Sequence, residues 1–171
     1  MKPTKINDII IIGAGPAGLM AARELENSNI DYLILEAQKK VGFPLRCGEI
    51  TRTDTFTELF SRHDYSFIKN NISKVSFRID DTQKVVRKNL VMLDKAEFLQ
   101  WLSVPIEKKL RLDTALLDLK KEKNLMEIRT NRGQFYAKLV ILANGTNYRI
   151  QKDLGLLEES AELVPCIGGF F

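Results

Sequence analysis

Apolar positions set the outline of this chain. Ile9-Ile10-Ile11-Ile12 follows Asp8 and stops at a glycine. A β-branched run without a polar break reads as a strand covered on both faces, as in the middle of a parallel sheet. From Pro16 to Asn27 the chain turns to helix formers, and Asn27, Ser28 and Asn29 then supply turn chemistry, so a helix is expected there. Asp31 to Glu36 carries a second short apolar run, Tyr32-Leu33-Ile34-Leu35, which completes a right-handed βαβ crossover. Between Val41 and Asn89 the pattern is less regular, broken early by Gly42, Pro44 and Gly48. A loop, a short helix around Asp54 to Phe60 and a strand pair that includes the alternating run Val75 to Ile79 are expected. Asp94 to Lys109 places Phe98, Leu99, Leu102 and Ile106 at helical spacing, with Leu110 following; Pro105 falls inside and should kink or restart the helix. Phe98, Trp101 and Leu102 are read as core. Leu112 to Lys121, Leu125 to Thr130 and Gln134 to Leu142 read as hairpin strands that end in a buried one.

The fold class that follows is α/β: a Rossmann-like parallel sheet built on the βαβ unit, with a β-hairpin or meander insertion. Composition narrows the function classes. With 171 residues, of which 44% are hydrophobic, the chain can bury one ordinary core. The formal net charge of +4 arises from scattered groups such as Lys39-Lys40 and Lys120-Lys121, interrupted by Asp80-Asp81 and Glu158-Glu159. This is a solvated surface and not a nucleic-acid footprint, so no nucleic-acid partner is expected. The glycines and Pro16 that interrupt the longest apolar stretch argue against an integral membrane segment, leaving peripheral membrane contact. Two cysteines, Cys47 and Cys166, fit a cytoplasmic setting. The single histidine, His63, has no partner of metal-binding type nearby in sequence, and no metal site is expected. Cys166, near the terminus, is read as structural or frayed.

The chemistry concentrates in Gly13-Ala14-Gly15-Pro16-Ala17-Gly18, a G-x-G-x-x-G run placed after a strand and opening a helix. Gly13 permits the tight turn, Gly15 lets the backbone approach a pyrophosphate, and Gly18 lets helix and strand pack closely. Pro16 at the helix start removes no useful donor, and the helix amides that begin at Ala17 face phosphate oxygens. Glu36, at the end of the second strand, is placed to accept hydrogen bonds from both hydroxyls of an adenosine ribose and to repel a 2′-phosphate. Together they point to the ADP half of FAD or NAD in preference to NADP.

Farther along, Val41-Gly42-Phe43-Pro44-Leu45-Arg46-Cys47-Gly48-Glu49 resembles a loop of the geranylgeranyl reductase family of FAD-dependent oxidoreductases, relatives of the para-hydroxybenzoate hydroxylase fold. Leu93 to Leu102 resembles the family's aspartate-arginine helix opening, with Lys95 in place of the arginine. Ala137 to Gly145 resembles its strand ending in Ala-Asp-Gly, with Asn144 in place of the aspartate. The resemblance implies a GR2-type FAD-binding fold over residues 1–171, incomplete and corresponding to the front part of a family member, with 64–92 contributing to a substrate-domain sheet. It implies FAD as cofactor, a prenyl lipid as substrate, and reduction of prenyl carbon–carbon double bonds by hydride from reduced flavin. Arg46 and Cys47 would approach the flavin ring as catalytic and cofactor-binding residues, and Asn144-Gly145 would bring backbone to the cofactor. A flavin-dependent aromatic hydroxylase-like protein and a non-catalytic nucleotide-binding module are the alternatives. The Pro-Leu-Arg-Cys-Gly-Glu loop favours the reductase.

Overall fold

The computed structural model describes residues 5–45, 47, 49–60 and 65–157. In chain order the elements are β1 (Asn7–Ile12), α1 (Pro16–Glu26), β2 (Tyr32–Leu35), β3 (Ile50–Arg52), α2 (Thr53–Phe60), β4 (Ile68–Ile79), β5 (Thr82–Leu93) and α3 (Lys95–Ser103). A 3-10 helix (Val104–Lys109) follows, and then β6 (Leu110–Arg111), β7 (Leu116–Glu122), β8 (Leu125–Thr130), β9 (Gly133–Leu142) and α4 (Tyr148–Asp153). Two compact units divide the described chain, one of residues 5–44 and 99–157 and one of residues 45–98.

The first unit is a six-stranded sheet in the order β6-β2-β1-β9-β8-β7. β1 pairs in parallel with β2 on one side and β9 on the other, and β2 pairs in parallel with β6. β7 and β8 join antiparallel at the far edge. The central place of β1 explains its isoleucines: Ile10 and Ile11 are completely buried, as a strand flanked on both edges and both faces requires. One face of the sheet carries a cluster of Ile10, Ile12, Leu35, Leu119, Ile128, Ala137 and Ile150. Leu19 and Ala22 of α1, Leu102 of α3 and Ile106 of the 3-10 helix are also fully buried, which accounts for the helical spacing read in the sequence. The helix expected over Asp94 to Lys109 ends at Ser103, because Pro105 lacks the amide to continue it and starts a 3-10 turn instead.

Two expectations change. Residues 112–115, read as the start of a strand, form a loop in which Asp113 takes a positive φ of 52°. Its backbone bonds cross to β2's exit instead of continuing a ladder: the Asp113 amide donates to the Gln38 carbonyl (2.9 Å) and the Thr114 amide to the Glu36 carbonyl (2.8 Å). β9 is central, as its apolar run suggested, yet within it only Ala137 is fully buried and Leu139 is 54% exposed. Its apolar run therefore reflects pairing on both edges more than cover on both faces.

The second unit is a three-stranded antiparallel sheet, β3-β5-β4, dominated by the long β4–β5 hairpin. Its core is aromatic. Phe56, Phe67 and Phe98 are buried, Tyr65 stacks on Phe67 with ring centres 4.9 Å apart, and Phe60 meets Phe98 edge-on at 5.4 Å; such offset and edge contacts suit the ring quadrupoles. The start of α3 is capped twice: Asp94 accepts from the Glu97 amide (2.9 Å) and Glu49 from the Lys95 amide (3.0 Å), satisfying amides that lack helical partners.

One polar cluster fastens the first unit. The Tyr32 hydroxyl donates to the Glu26 carboxylate, and Lys109 sits over the Tyr32 ring (4.0 Å) and 3.7 Å from Glu26. Burial, and then the Glu26 carboxylate, hold the Tyr32 phenol far above the ordinary range of its pKa. An unfolded chain would ionise this phenol near pH 10 and the folded chain would not. The folded state is therefore favoured below that pH and loses stability as pH rises through it. Tyr32→Phe should remove this part of the alkaline loss, so that melting temperatures recorded from pH 8 to 11 fall less steeply for the variant than for the wild type.

Candidate functional site

The chain leaves β1 through Gly13 into α1 and returns on one side as β2, while β9 arrives on the other. The carboxyl ends of β1 and β9 thus lie side by side where the connections diverge, which is where open α/β sheets bind ligands. Each glycine of the turn has its own geometric reason. Gly13 takes φ +105°, and a side chain there would run into the Ala143 carbonyl and come within 3.3 Å of the Asn144 Cα. Gly18 is closed from inside the fold: a Cβ would overlap the Gly13 carbonyl oxygen and stand 3.3 Å from the Ala143 Cβ. The Gly13 amide donates to the Leu35 carbonyl (2.8 Å), and the Ala143 amide to the Ile12 carbonyl (2.9 Å).

Gly15 differs. Its φ of −77° and ψ of −177° are open to any residue, and nothing lies within 4 Å of where its Cβ would be. It precedes a helix that has Pro16 in its first turn, no side-chain cap and no acidic residue in that turn. The first turn of α1, with Ala17 and Gly18, thus has no capping side chain and no acidic residue of its own.

Glu36 stands at the exit of β2 with both carboxylate oxygens aimed along the same rim. Oε2 accepts from the Ala14 amide (2.6 Å) and Oε1 from the Gln38 amide (2.8 Å). Its own amide donates to the Arg111 carbonyl (2.9 Å). The carboxylate is therefore fixed beside the glycine turn, and each oxygen retains a lone pair for a further donor. At the end of β9, Gly145 has φ +60° with open space around it, and Asn144 is bound within its own loop.

Gly13, Gly15, Pro16, Ala17, Gly18, Glu36, Asn144 and Gly145 are thus assembled at one end of the first unit's sheet. Cys47 belongs to the second unit, where it is exposed and its sulfur accepts from the Glu49 amide at 3.5 Å. Arg46 lies outside the described residues, as do Gly48, His63 and Cys166. Among the described residues there is no group of His, Cys, Asp and Glu side chains that could hold a metal ion, and no helix long and apolar enough to cross a membrane. Sequence reasoning did not find β6, whose Arg111 carbonyl holds Glu36, because a two-residue strand leaves no periodicity. Nor did it find Gln151 at Asn144, or the capping role of Glu49.

A family model described as pyridine nucleotide-disulphide oxidoreductase matches residues 10–159. The chain belongs to this family. Among curated members of similar sequence, a digeranylgeranylglycerophospholipid reductase of Methanopyrus kandleri is 28% identical over 89% of this chain and 43% of its own length. A second, from Methanosphaera stadtmanae, is 24% identical over 87% of this chain and 42% of its own. These relatives bear out the geranylgeranyl reductase resemblance, and the chain spans about two-fifths of their length. The fold matches that of a geranylgeranyl bacteriochlorophyll reductase-like protein of Thermoplasma acidophilum with a TM-score of 0.77, at 23% identity over 94% of this chain and 44% of that one. It also matches 2,6-dihydroxypyridine-3-hydroxylase of Arthrobacter nicotinovorans with a TM-score of 0.71, at 17% identity over 90% and 41%.

The packing at Gly18 makes a direct prediction. In Gly18→Ala the new methyl group meets backbone, which cannot swing away as a side chain would, so α1 must move off β1. We expect a loss of about 2–4 kcal/mol in stability by denaturant unfolding, where Gly15→Ala loses under about 1 kcal/mol.

Proposed function

We propose that this chain is the FAD-binding front part of a geranylgeranyl-reductase-type enzyme that saturates carbon–carbon double bonds in the prenyl chains of lipids. The observation that carries this reading is Gly15. Fold geometry accounts for Gly13 and Gly18, but at Gly15 neither the backbone angles nor the neighbours demand a glycine. A ligand that brings phosphate oxygens against the backbone does demand one.

On this reading the pyrophosphate of FAD lies along the Gly13–Gly18 turn, held by the amides of Gly15, Ala17 and Gly18 and by the positive end of α1. The Glu36 carboxylate takes the ribose hydroxyls, and its charge repels a 2′-phosphate, so FAD is held in preference to NADP. Gly145 and Asn144 bring backbone toward the cofactor from the β9 side. Bound FAD, once reduced, supplies the hydride. Arg46 and Cys47 act near the flavin ring: the guanidinium neutralises negative charge on reduced flavin or phosphate, and the Cys47 thiol is exposed and free. Residues 64–92, which hold the β4–β5 hairpin outside the parallel sheet, contribute to a substrate-domain sheet. The enzyme works in the cytoplasm with peripheral contact to the membrane that carries its lipid. The names of the two reductase relatives support the prenyl-lipid class.

Gly15→Ala should bind FAD at least about tenfold more weakly by calorimetry while its melting temperature stays close to that of the wild type. Equal affinity would remove the observation on which the assignment stands. Because near-attack geometry needs both ring and alkene to be held, and this chain spans two-fifths of its relatives, it should bind flavin without turnover. Chemically reduced FAD, the chain and a geranylgeranyl lipid, mixed without oxygen, should show no protein-dependent saturation by mass spectrometry. Saturation that vanished in Cys47→Ala would instead show a self-sufficient site.

A further inference from the structure

The loop after β9 forms one wall of the glycine turn, since the Ala143 carbonyl and the Asn144 Cα are what a side chain at Gly13 would strike. What fixes that loop is a pair of carboxamides. Asn144 donates through Nδ2 to the Asn147 carbonyl (2.7 Å) and accepts at Oδ1 from Nε2 of Gln151 on α4 (3.2 Å). The Asn147 amide returns to the Asn144 carbonyl (3.4 Å), and the Tyr148 amide to that of Thr146 (3.1 Å). The orientation of Asn144 is determined by its partners: turned over, it would set oxygen against the Asn147 carbonyl and two amide NH2 groups against each other. Gln151 is equally committed, because its Oε1 is buried and finds no hydrogen-bond partner among the described residues. Keeping an unsatisfied buried oxygen is costly, so the side chain is held there by its packing and by the bond it gives to Asn144.

We infer that Gln151 is a positioning residue for the nucleotide pocket: through Asn144 it sets the Ala143–Asn147 loop against the Gly13 turn, and the pair works only while residue 144 offers both a donor to Asn147 and an acceptor to Gln151, as its carboxamide does. A carboxylate at this position could still accept from Gln151, but its second oxygen would face the Asn147 carbonyl. A protonated carboxyl group would restore both bonds, donating to Asn147 and accepting from Gln151.

The charged groups of the elements around the pair are Arg149, Lys152 and Asp153 of α4, Lys138 and its partner Asp8 across β9 and β1, and Glu36 on the turn side. Asp118, Lys120, Lys121 and Glu122 lie on β7, whose Leu117 carbonyl accepts from Arg149 (3.0 Å). All of these are common to the wild type and the variants, so a difference between them isolates residue 144.

The inference rests on the FAD reading for its ligand, and the test separates the two. FAD affinity and melting temperature are measured from pH 4 to 8 for the wild type, Asn144→Asp and Gln151→Leu. At pH 8 we expect Asn144→Asp to bind FAD about tenfold more weakly than the wild type and to melt several degrees lower. At low pH, as the introduced carboxyl takes up its proton, both differences should close; its folded pKa is raised, so stability is lost as pH rises through it. Gln151→Leu should lower FAD affinity about threefold to tenfold at every pH, since it removes a donor and adds no titrating group. Asn144→Asp melting and binding in step with the wild type at every pH would overturn the inference, as would unchanged affinity in Gln151→Leu. A wild type that binds no FAD would overturn the proposed function, and the melting curves would still decide the carboxamide pair.

Discussion

Everything at this site depends on how closely three stretches of backbone approach one another. The exit of β1, the first turn of α1 and the loop after β9 meet at Gly13, Gly18 and Ala143, where a single added carbon atom has nowhere to go. Close-packed backbone is stiff, because it cannot relieve a clash by changing rotamer as a side chain can. The approach draws the β9 loop to the amino end of α1 and leaves one gap in the contact, at Gly15. The fold and the opening in it therefore have one cause.

Around that contact the polar groups are fixed and not merely nearby. Glu36 is held from three directions, by the Ala14 and Gln38 amides on its carboxylate and by the Arg111 carbonyl on its own amide. A carboxylate held this way has little side-chain freedom left to lose when a ligand arrives, and preorganisation of that kind lowers the cost of binding. What the β6 segment gives Glu36 is a backbone group, the Arg111 carbonyl.

The sequence was readable where a residue type answers a local demand. The isoleucines of β1 announce a buried strand, Gly13 a tight turn, Gly18 a close approach of helix and strand, and Pro105 a break in the helix expected from Asp94. The short helix over Thr53 to Phe60 and the strand pair containing Val75 to Ile79 were also legible, since each carries its own periodicity. What was not legible came from long-range partners. The loop at Asp113 reads as strand by composition and is made a loop by bonds to Gln38 and Glu36, far earlier in the chain. Glu49 sits within a loop whose likeness drew attention to Cys47 and Arg46, yet its carboxylate caps α3, a task visible only when β5 brings Lys95 beside it. Gln151 gave no signal because its meaning is the orientation of another amide.

The β4–β5 hairpin has a consequence for how the chain behaves in solution. β4, twelve residues long, is an outer strand of its sheet, and Phe77 and Ile79 near its end, with Val85 beside them on β5, are more than half exposed. Among the described residues that edge pairs with no further strand, and an unpaired edge of this length is a template for another strand. Lys74 and Arg78 on β4 and Lys84, Arg87 and Lys88 on β5 outnumber Asp80 and Asp81 at the turn, so a second copy approaching this ribbon meets net positive charge with positive charge. Such repulsion reaches only about 10 Å at 0.1 M salt and about 3 Å at 1 M. Charge repulsion therefore opposes pairing of two such ribbons most in dilute salt and least in concentrated salt.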